Sequence, residues 1–294
     1  MATLKLNFEA DWIKALRTEM KTVWGDPVDQ IDDRDVPVSF FDSFRRAIPA
    51  HARAVELSDV FTVPPELDAG WNNLAGKVKA GIDLRPHLSG GHQLLSNLDG
   101  LLNDWGIHHF HLGIKPDHKN ADLVERTRPL VLAYVTEDTF YAIGIFAHTP
   151  APWTKSELIE TLHRNWPGAI ARFRMNSSSA NDLTEEQRAR ARAIKFNPYT
   201  KVSDGTVYAP PGGIMSRAGT DIQATIQADK WREEIRALQS DCLRHQETIL
   251  EAAGLSHLPG TVEARLRFGE EGHYLLRFPD HGTIVELVPT LLSY

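Results

Sequence analysis

Ile107–Gly113 (IHHFHLG) and Leu130–His148 (LVLAYVTEDTFYAIGIFAH) decide how this chain is read. In the second stretch two runs of β-branched and aromatic residues, Leu130–Thr136 and Phe140–His148, are separated by the acidic pair Glu137–Asp138, which predicts a β-hairpin. Ile107–Gly113 reads as a further strand. Just upstream, Leu94, Leu95, Leu98, Leu101 and Leu102 recur at helical spacing and Gly106 supplies a stop, so a helix leads into that strand. A helix, a strand and a hairpin in that order predict an α+β fold, an antiparallel sheet with packed helices.

Working outward, Thr154 and Glu157 have the spacing of a capping box before a helix that buries Leu158, Leu162 and Trp166. Asn176–Asp182 is a Ser/Asn-rich linker, and Thr184 with Gln187 starts a short basic helix. Tyr208–Gly219 reads as a loop, and a long helix from Asp221 to Ala253 ends at Gly254. From Val262 onward, alternating apolar and charged residues predict a β-meander. On the N-terminal side, a helix spans Glu9–Val23, Val38–Phe41 reads as a strand, Val60–Pro65 as extended and Leu74–Ile82 as a helix. Four segments result: 1–87, a helix and a mixed stretch; 88–175, the α+β core; 176–258, a basic linker and the long helix; and 259–294, the meander, which can join 88–175 in one compact domain.

No apolar run reaches the length that spans a bilayer, and the opening residues lack the basic and apolar regions of a secretory signal, so a cytoplasmic protein with no membrane partner is expected. The single cysteine, Cys242, excludes internal disulfides and cysteine-based zinc clusters, and its register with Trp231, Ile235, Leu238 and Ile249 makes it a core residue. A net charge of -7 argues against indiscriminate nucleic-acid coating, yet Arg164–Lys201 carries eight basic residues against three acidic ones. Trp166, Phe173, Phe196 and Tyr199 are interleaved with them, a combination that suits a single strand held by phosphate pairing and base stacking. Arg172 and Arg174 are the substrate-binding candidates there.

Four of thirteen histidines fall within eleven residues: His108, His109, His111 and His118. Strand alternation puts His109 and His111 on one face and His108 with Phe110 and Leu112 on the other. Two imidazoles on one face can serve as general acid and base. His148 at the end of a neighbouring strand, and Arg126 and Arg128 before Leu130, could join them, the arginines stabilising charge on a phosphate. The same histidines could instead bind a metal, His109 and His111 with His118 as a third ligand, or with Asp104, Asp117 or His148 in its place. Gly212–Gly219 precedes a helix, where Ser216 and Arg217 could contact an anion, although no Walker motif is present.

The order of LSNLDGLLNDW (95–105), IHHFHLG, the basic ERTR (125–128) and LVLAYVTEDTFYAIGIFAH resembles the RelE/HigB-type ribonuclease toxin module over about a fifth of the chain. The resemblance implies a RelE-like core with helical and β-meander additions. It also implies an RNA substrate, a protein antitoxin or regulator as partner, Arg126 or Arg128 at the phosphate and His148 at the basic catalytic end. The Thr149–Pro152 continuation departs from that family, which carries further basic residues there. The expected function is therefore a toxin-like endoribonuclease that cleaves by acid–base chemistry without cofactor, the alternatives being a metal-dependent hydrolase on the same histidines and a non-catalytic nucleic-acid- or protein-binding regulator.

Overall fold

Where apolar residues recur every three or four positions the chain coils, and where β-formers cluster it extends. The structure, a computed structural model, describes residues 2–44, 46, 48–90, 99–147, 154–176, 183–194, 196–213, 220–269 and 273–287. It begins with β1 (Thr3–Lys5), α1 (Phe8–Trp24) and α2 (Val36–Phe44). Next come β2 (Ala54–Leu57), α3 (Asp68–Ala80), α4 (Gly100–Trp105), β3 (Ile107–His111), β4 (Pro129–Val135) and β5 (Thr139–Ala147). They are followed by α5 (Glu157–Asn165), β6 (Arg174–Met175), α6 (Glu185–Ala193), β7 (Thr200–Lys201) and β8 (Val207–Tyr208). The last elements are α7 (Ile222–Arg244), α8 (Gln246–Ala252), β9 (Thr261–Glu263), β10 (Arg265–Phe268), β11 (Tyr274–Phe278) and β12 (Thr283–Leu287). The protein is of mixed α+β class with mostly antiparallel sheets. No helix among the described residues is long and apolar enough to cross a membrane.

Two compact units form, Asp42–Gln223 and the paired ends Met1–Phe41 with Ala224–Tyr294. This division cuts across the four consecutive segments read from the sequence. Its cause is long-range: β1 pairs in parallel with β9, Thr3 opposite Thr261 and Lys5 opposite Glu263, and local periodicity cannot announce so distant a partner. Val262, expected in the meander, belongs to this second pairing, and the meander proper is the antiparallel sheet β10-β11-β12. In this unit α1 packs on β10 and buries Trp12, Leu16 and Met20. Cys242 is buried in α7 as expected, its thiol pushed up to about 12 by burial.

The other unit is organised by a sheet in the order β2-β5-β4-β3, with β3, β4 and β5 antiparallel and β2 parallel to β5. Both faces are covered. Phe110, Val131, Ala133 and Phe140 pack against Trp71, Leu74 and Val78 of α3. On the opposite face Ile107, Leu132, Tyr134 and Ile143 meet Leu158, Ile159 and Leu162 of α5. That is why β4 reads as a continuous apolar run, each fully buried Leu or Val contributing about 1.5–3 kcal/mol. Gly70 lets α3 approach the end of the sheet, because a Cβ there would stand 2.0 Å from the Leu112 carbonyl oxygen.

Several local readings change. Val38–Phe41 is not a strand but the middle of α2, since Pro37 occupies the first turn of a helix, where its missing N–H costs nothing. Asp221–Ala253 is not one helix: α7 gives way to α8 at His245. Thr154 does not cap α5, whose N-cap is Ser156 without a side-chain bond, whereas the Thr184–Gln187 capping box forms in both directions, at 3.2 and 2.9 Å. Leu94, Leu95 and Leu98 lie outside the described residues, and the described helix starts at Gly100 behind Asp99, whose carboxylate accepts from the Leu101 and Leu102 N–H groups.

Candidate active site

Alternation along β3 holds: His109 and His111 share one face, opposite Leu132 and Leu130, and His108 shares the other with Phe110. They do not share a cleft. His111 is 8% exposed, and its Nδ1 lies 3.1 Å from the Thr127 carbonyl oxygen. His109 stands 3.7 Å from Asp99 and borders a crevice of about 20 Å³ together with His108, space for about one water molecule. Below the strand, His87 donates from Nδ1 to the His111 carbonyl at 2.8 Å, while its Nε2 accepts from Lys77 at 3.0 Å. Burial, with Lys77 and Arg126 adding to it, lowers His87 to about 4 and keeps it neutral.

The large cavities meet instead at His108. A cleft of about 890 Å³ reaches from His51 and Arg53 past the Thr136–Asp138 turn. A second, of about 640 Å³, runs from Leu102 and Phe173 along 209–213 to Asp221. His108 and Tyr134, buried at 9% and 4% exposure, line both together with Val135 and Arg172. Ile107 pairs with Tyr134 and His108 with Ala133, so His108 and Tyr134 leave the sheet on opposite faces, and the two lobes reach both of them around the edge where β3 begins and β4 ends. Arg172 arrives from the short turn after α5, its guanidinium 4.7 Å from the centre of the Phe173 ring and itself exposed. Burial pushes the Tyr134 phenol above its ordinary value, against the pull of the Arg172 charge, so the phenol stays protonated as a donor. Arg53 frames the first lobe through hydrogen bonds to the carbonyls of Thr136 (2.8 Å) and Pro49 (2.9 Å).

Other predicted residues stand elsewhere. Arg126 donates to the Leu88 carbonyl at 2.6 Å and is half-buried, with burial lowering its pKa against the pull of Asp117. Arg128 and Arg174 are exposed, and neither Arg126, Arg128 nor Arg174 lines the two lobes. His118 is 81% exposed, and its Nδ1 is 3.9 Å from Asp117. Among the described residues no group of three or more His, Cys, Asp or Glu could hold a metal ion, so His109, His111 and His118 form no such set. Asp104, considered as a further ligand, is committed to an ion pair with Arg188 and Arg192 at 3.5 and 2.6 Å. His148, Ser216 and Arg217 lie outside the described residues.

That ion pair also changes the reading of the basic stretch. Arg188 and Arg192 both lie over the Trp105 ring, and Arg164 grips Asp59 with two hydrogen bonds of 2.7 Å. Three of its eight cations are thus engaged in ion pairs within the fold, two of them on one carboxylate, and Trp166 packs on Tyr141 at 5.0 Å between ring centroids. A further hydrogen-bonded chain, invisible in the sequence, links Tyr208 to His163 Nδ1 (2.8 Å) and His163 Nε2 to Asp204 (3.1 Å), but Tyr208 is 1% exposed and it serves to fasten β8 to α5.

No family model, curated protein or solved structure matches the chain. The site is therefore read from its own geometry. Sequence reasoning misses His108 and Tyr134 as functional residues: alternation sets His108 apart from the other two histidines of the strand, and Tyr134 reads as one more strand-forming aromatic.

Proposed function

We propose that the chain is an RNA-cleaving endoribonuclease working by acid–base chemistry at His108, Tyr134 and Arg172. The observation that carries this reading is the meeting of two lobes at those residues. A polymer has substrate on both sides of the bond to be broken, and two cavities abutting at one set of polar groups suit it better than a single blind pocket does. His108 would take the proton of a ribose 2′-hydroxyl, whose oxygen attacks the adjacent phosphorus. The 5′-oxygen leaves with a proton from the Tyr134 phenol, giving a 2′,3′-cyclic phosphate and a free 5′-hydroxyl. Arg172 would hold the phosphate oxygens as negative charge builds on them. The toxin-like character of the reading, with a protein antitoxin as partner, is supported by the order α4, β3, β4, β5 alone.

The test is incubation of end-labelled RNA with the purified chain in the presence of a chelator, with the product ends identified. Cleavage to 2′,3′-cyclic ends is expected, falling by roughly 10²–10⁴ in His108→Ala and much less in His109→Ala. RNA left intact by the parent chain, or cut equally fast by His108→Ala, ends the proposal. Tight strand binding without turnover would favour a non-catalytic regulator.

A further inference from the structure

The meander gathers cations on one face, and among the described residues only some of them have carboxylate partners. Arg265 and Arg267, two positions apart on β10, project from one face of the sheet, and Arg277 of β11 lies directly opposite Arg265 on that same face. With Lys14 of α1 they border a groove of about 260 Å³, to which Asp11 contributes a carboxylate. Asp11 is already taken, accepting from the Leu266 N–H at 2.9 Å and pairing with Arg265 at 3.3 Å, and Arg265 also pairs with Glu263. No carboxylate among the described residues pairs with Lys14, Arg267 or Arg277. Like charges directly opposite each other on neighbouring strands destabilise a sheet, and the Asp11 and Glu263 carboxylates on Arg265 reduce that cost without meeting Arg277.

We infer that this face of β10 and β11 binds the phosphate backbone of a single-stranded nucleic acid. Guanidinium groups pair bidentately with phosphate oxygens. Residues two apart on a strand are separated by about 7 Å, close to the spacing of successive phosphates along an extended chain, so a row of cations at that spacing suits a strand of phosphates. Beside the cations this face presents Leu275, Ile284 and, on the far strand, Glu286, which is paired with His273 at 2.6 Å; it has no aromatic ring, since Phe268 and Tyr274 point to the other side. Base stacking is absent from this face, and binding is accordingly indifferent to sequence. The choice of RNA as the natural strand rests on the ribonuclease reading. The anion chemistry does not.

The experiment is fluorescence anisotropy of a labelled short oligoribonucleotide with the full chain carrying His108→Ala, repeated over a salt series. Arg267→Glu with Arg277→Glu is expected to weaken binding by on the order of tenfold or more and to flatten the slope of log K against log salt by about 1.4, the change for two phosphates no longer neutralised on a single strand. Arg267→Lys with Arg277→Lys is expected to keep most of the affinity, and a deoxyribonucleotide of the same length to bind nearly as well. Helical circular dichroism and melting check that the exposed substitutions leave the fold intact. Failure of the starting chain to bind, undiminished binding by the charge-reversed chain, or a loss confined to phosphatidylserine vesicles overturns the inference. A chain that holds RNA through these arginines but never cuts it would sink the ribonuclease reading alone. One that cuts RNA while the reversed variant binds undiminished would sink this inference alone.

Discussion

Helix α6 and the strand pair β10–β11 are both arginine-rich, and they use arginine in opposite ways. In α6 the side chains of Arg188 and Arg192 are turned inward, 4% and 10% exposed, onto a fully buried Asp104 and the face of Trp105. In β10 and β11, Arg267 and Arg277 point outward with no carboxylate among the described residues to meet them. Yet the sequence around α6 has the denser run of positive charge. Counting cations therefore locates neither a binding face nor a core. What decides is whether a distant carboxylate folds back onto them, and burial then converts the charge from a handle for ligands into a condition for stability.

The largest effect that would sharpen this contrast is at Asp104. Asp104→Asn keeps the size of the side chain but leaves two guanidinium groups in the interior without a counter-charge, a loss that costs roughly 3–5 kcal/mol in comparable buried pairs. Chemical denaturation should show the midpoint of the Asp42–Gln223 unit falling accordingly. A shift below about 1 kcal/mol would mean that water reaches the pair, as in surface bridges, and the contrast with the meander would collapse.

Next in size is a pH effect from the same interior. His87 titrates near 6.5 when unfolded and about 4 when folded, so between those values the unfolded chain binds more protons. Stability then falls as pH drops from about 6.5 and levels off below about 4, by roughly 3 kcal/mol in all. Denaturation midpoints at pH 7 and pH 5 check this, and His87→Gln should flatten the dependence. A pH-independent midpoint in the parent chain would show that His87 is not sealed as the geometry around Lys77 and the His111 carbonyl implies.

What is legible in the sequence follows the same division between local and distant causes. Strands β3, β4 and β5, helix α1 and the Thr184 capping box are written in neighbouring residues, and the structure has them where periodicity and capping put them. The alternation of His109 with His111 is legible too, but not its consequence. Whether a side chain meets solvent depends on what packs over it, and Thr127 and Asp99 cover those rings from other parts of the chain. His108 gains its position because two cavities end at the start of β3, a fact about surrounding loops that no spacing records. Likewise Asp59 and Asp104, which pair with three cations of the basic stretch, precede it by more than fifty residues, and the closure of β1 on β9 joins opposite ends of the chain. Helix α2 is misread for a local reason, its β-formers outvoting the helix-starting value of Pro37.

The smallest expected effect is the complement of the first. Arg267→Ala and Arg277→Ala remove charge that supports no ion pair among the described residues, so each should change stability by less than about 0.5 kcal/mol. For Arg277 the direction is informative as well. Its partner across the ladder is Arg265, and relieving a like-charge pair should stabilise slightly, more at low ionic strength than at high, because salt screens exposed charges. Melting measured at two salt concentrations resolves this. Destabilisation of a kilocalorie or more would show that these guanidinium groups are structural after all, and that the meander differs from α6 only in how deeply it hides its ion pairs.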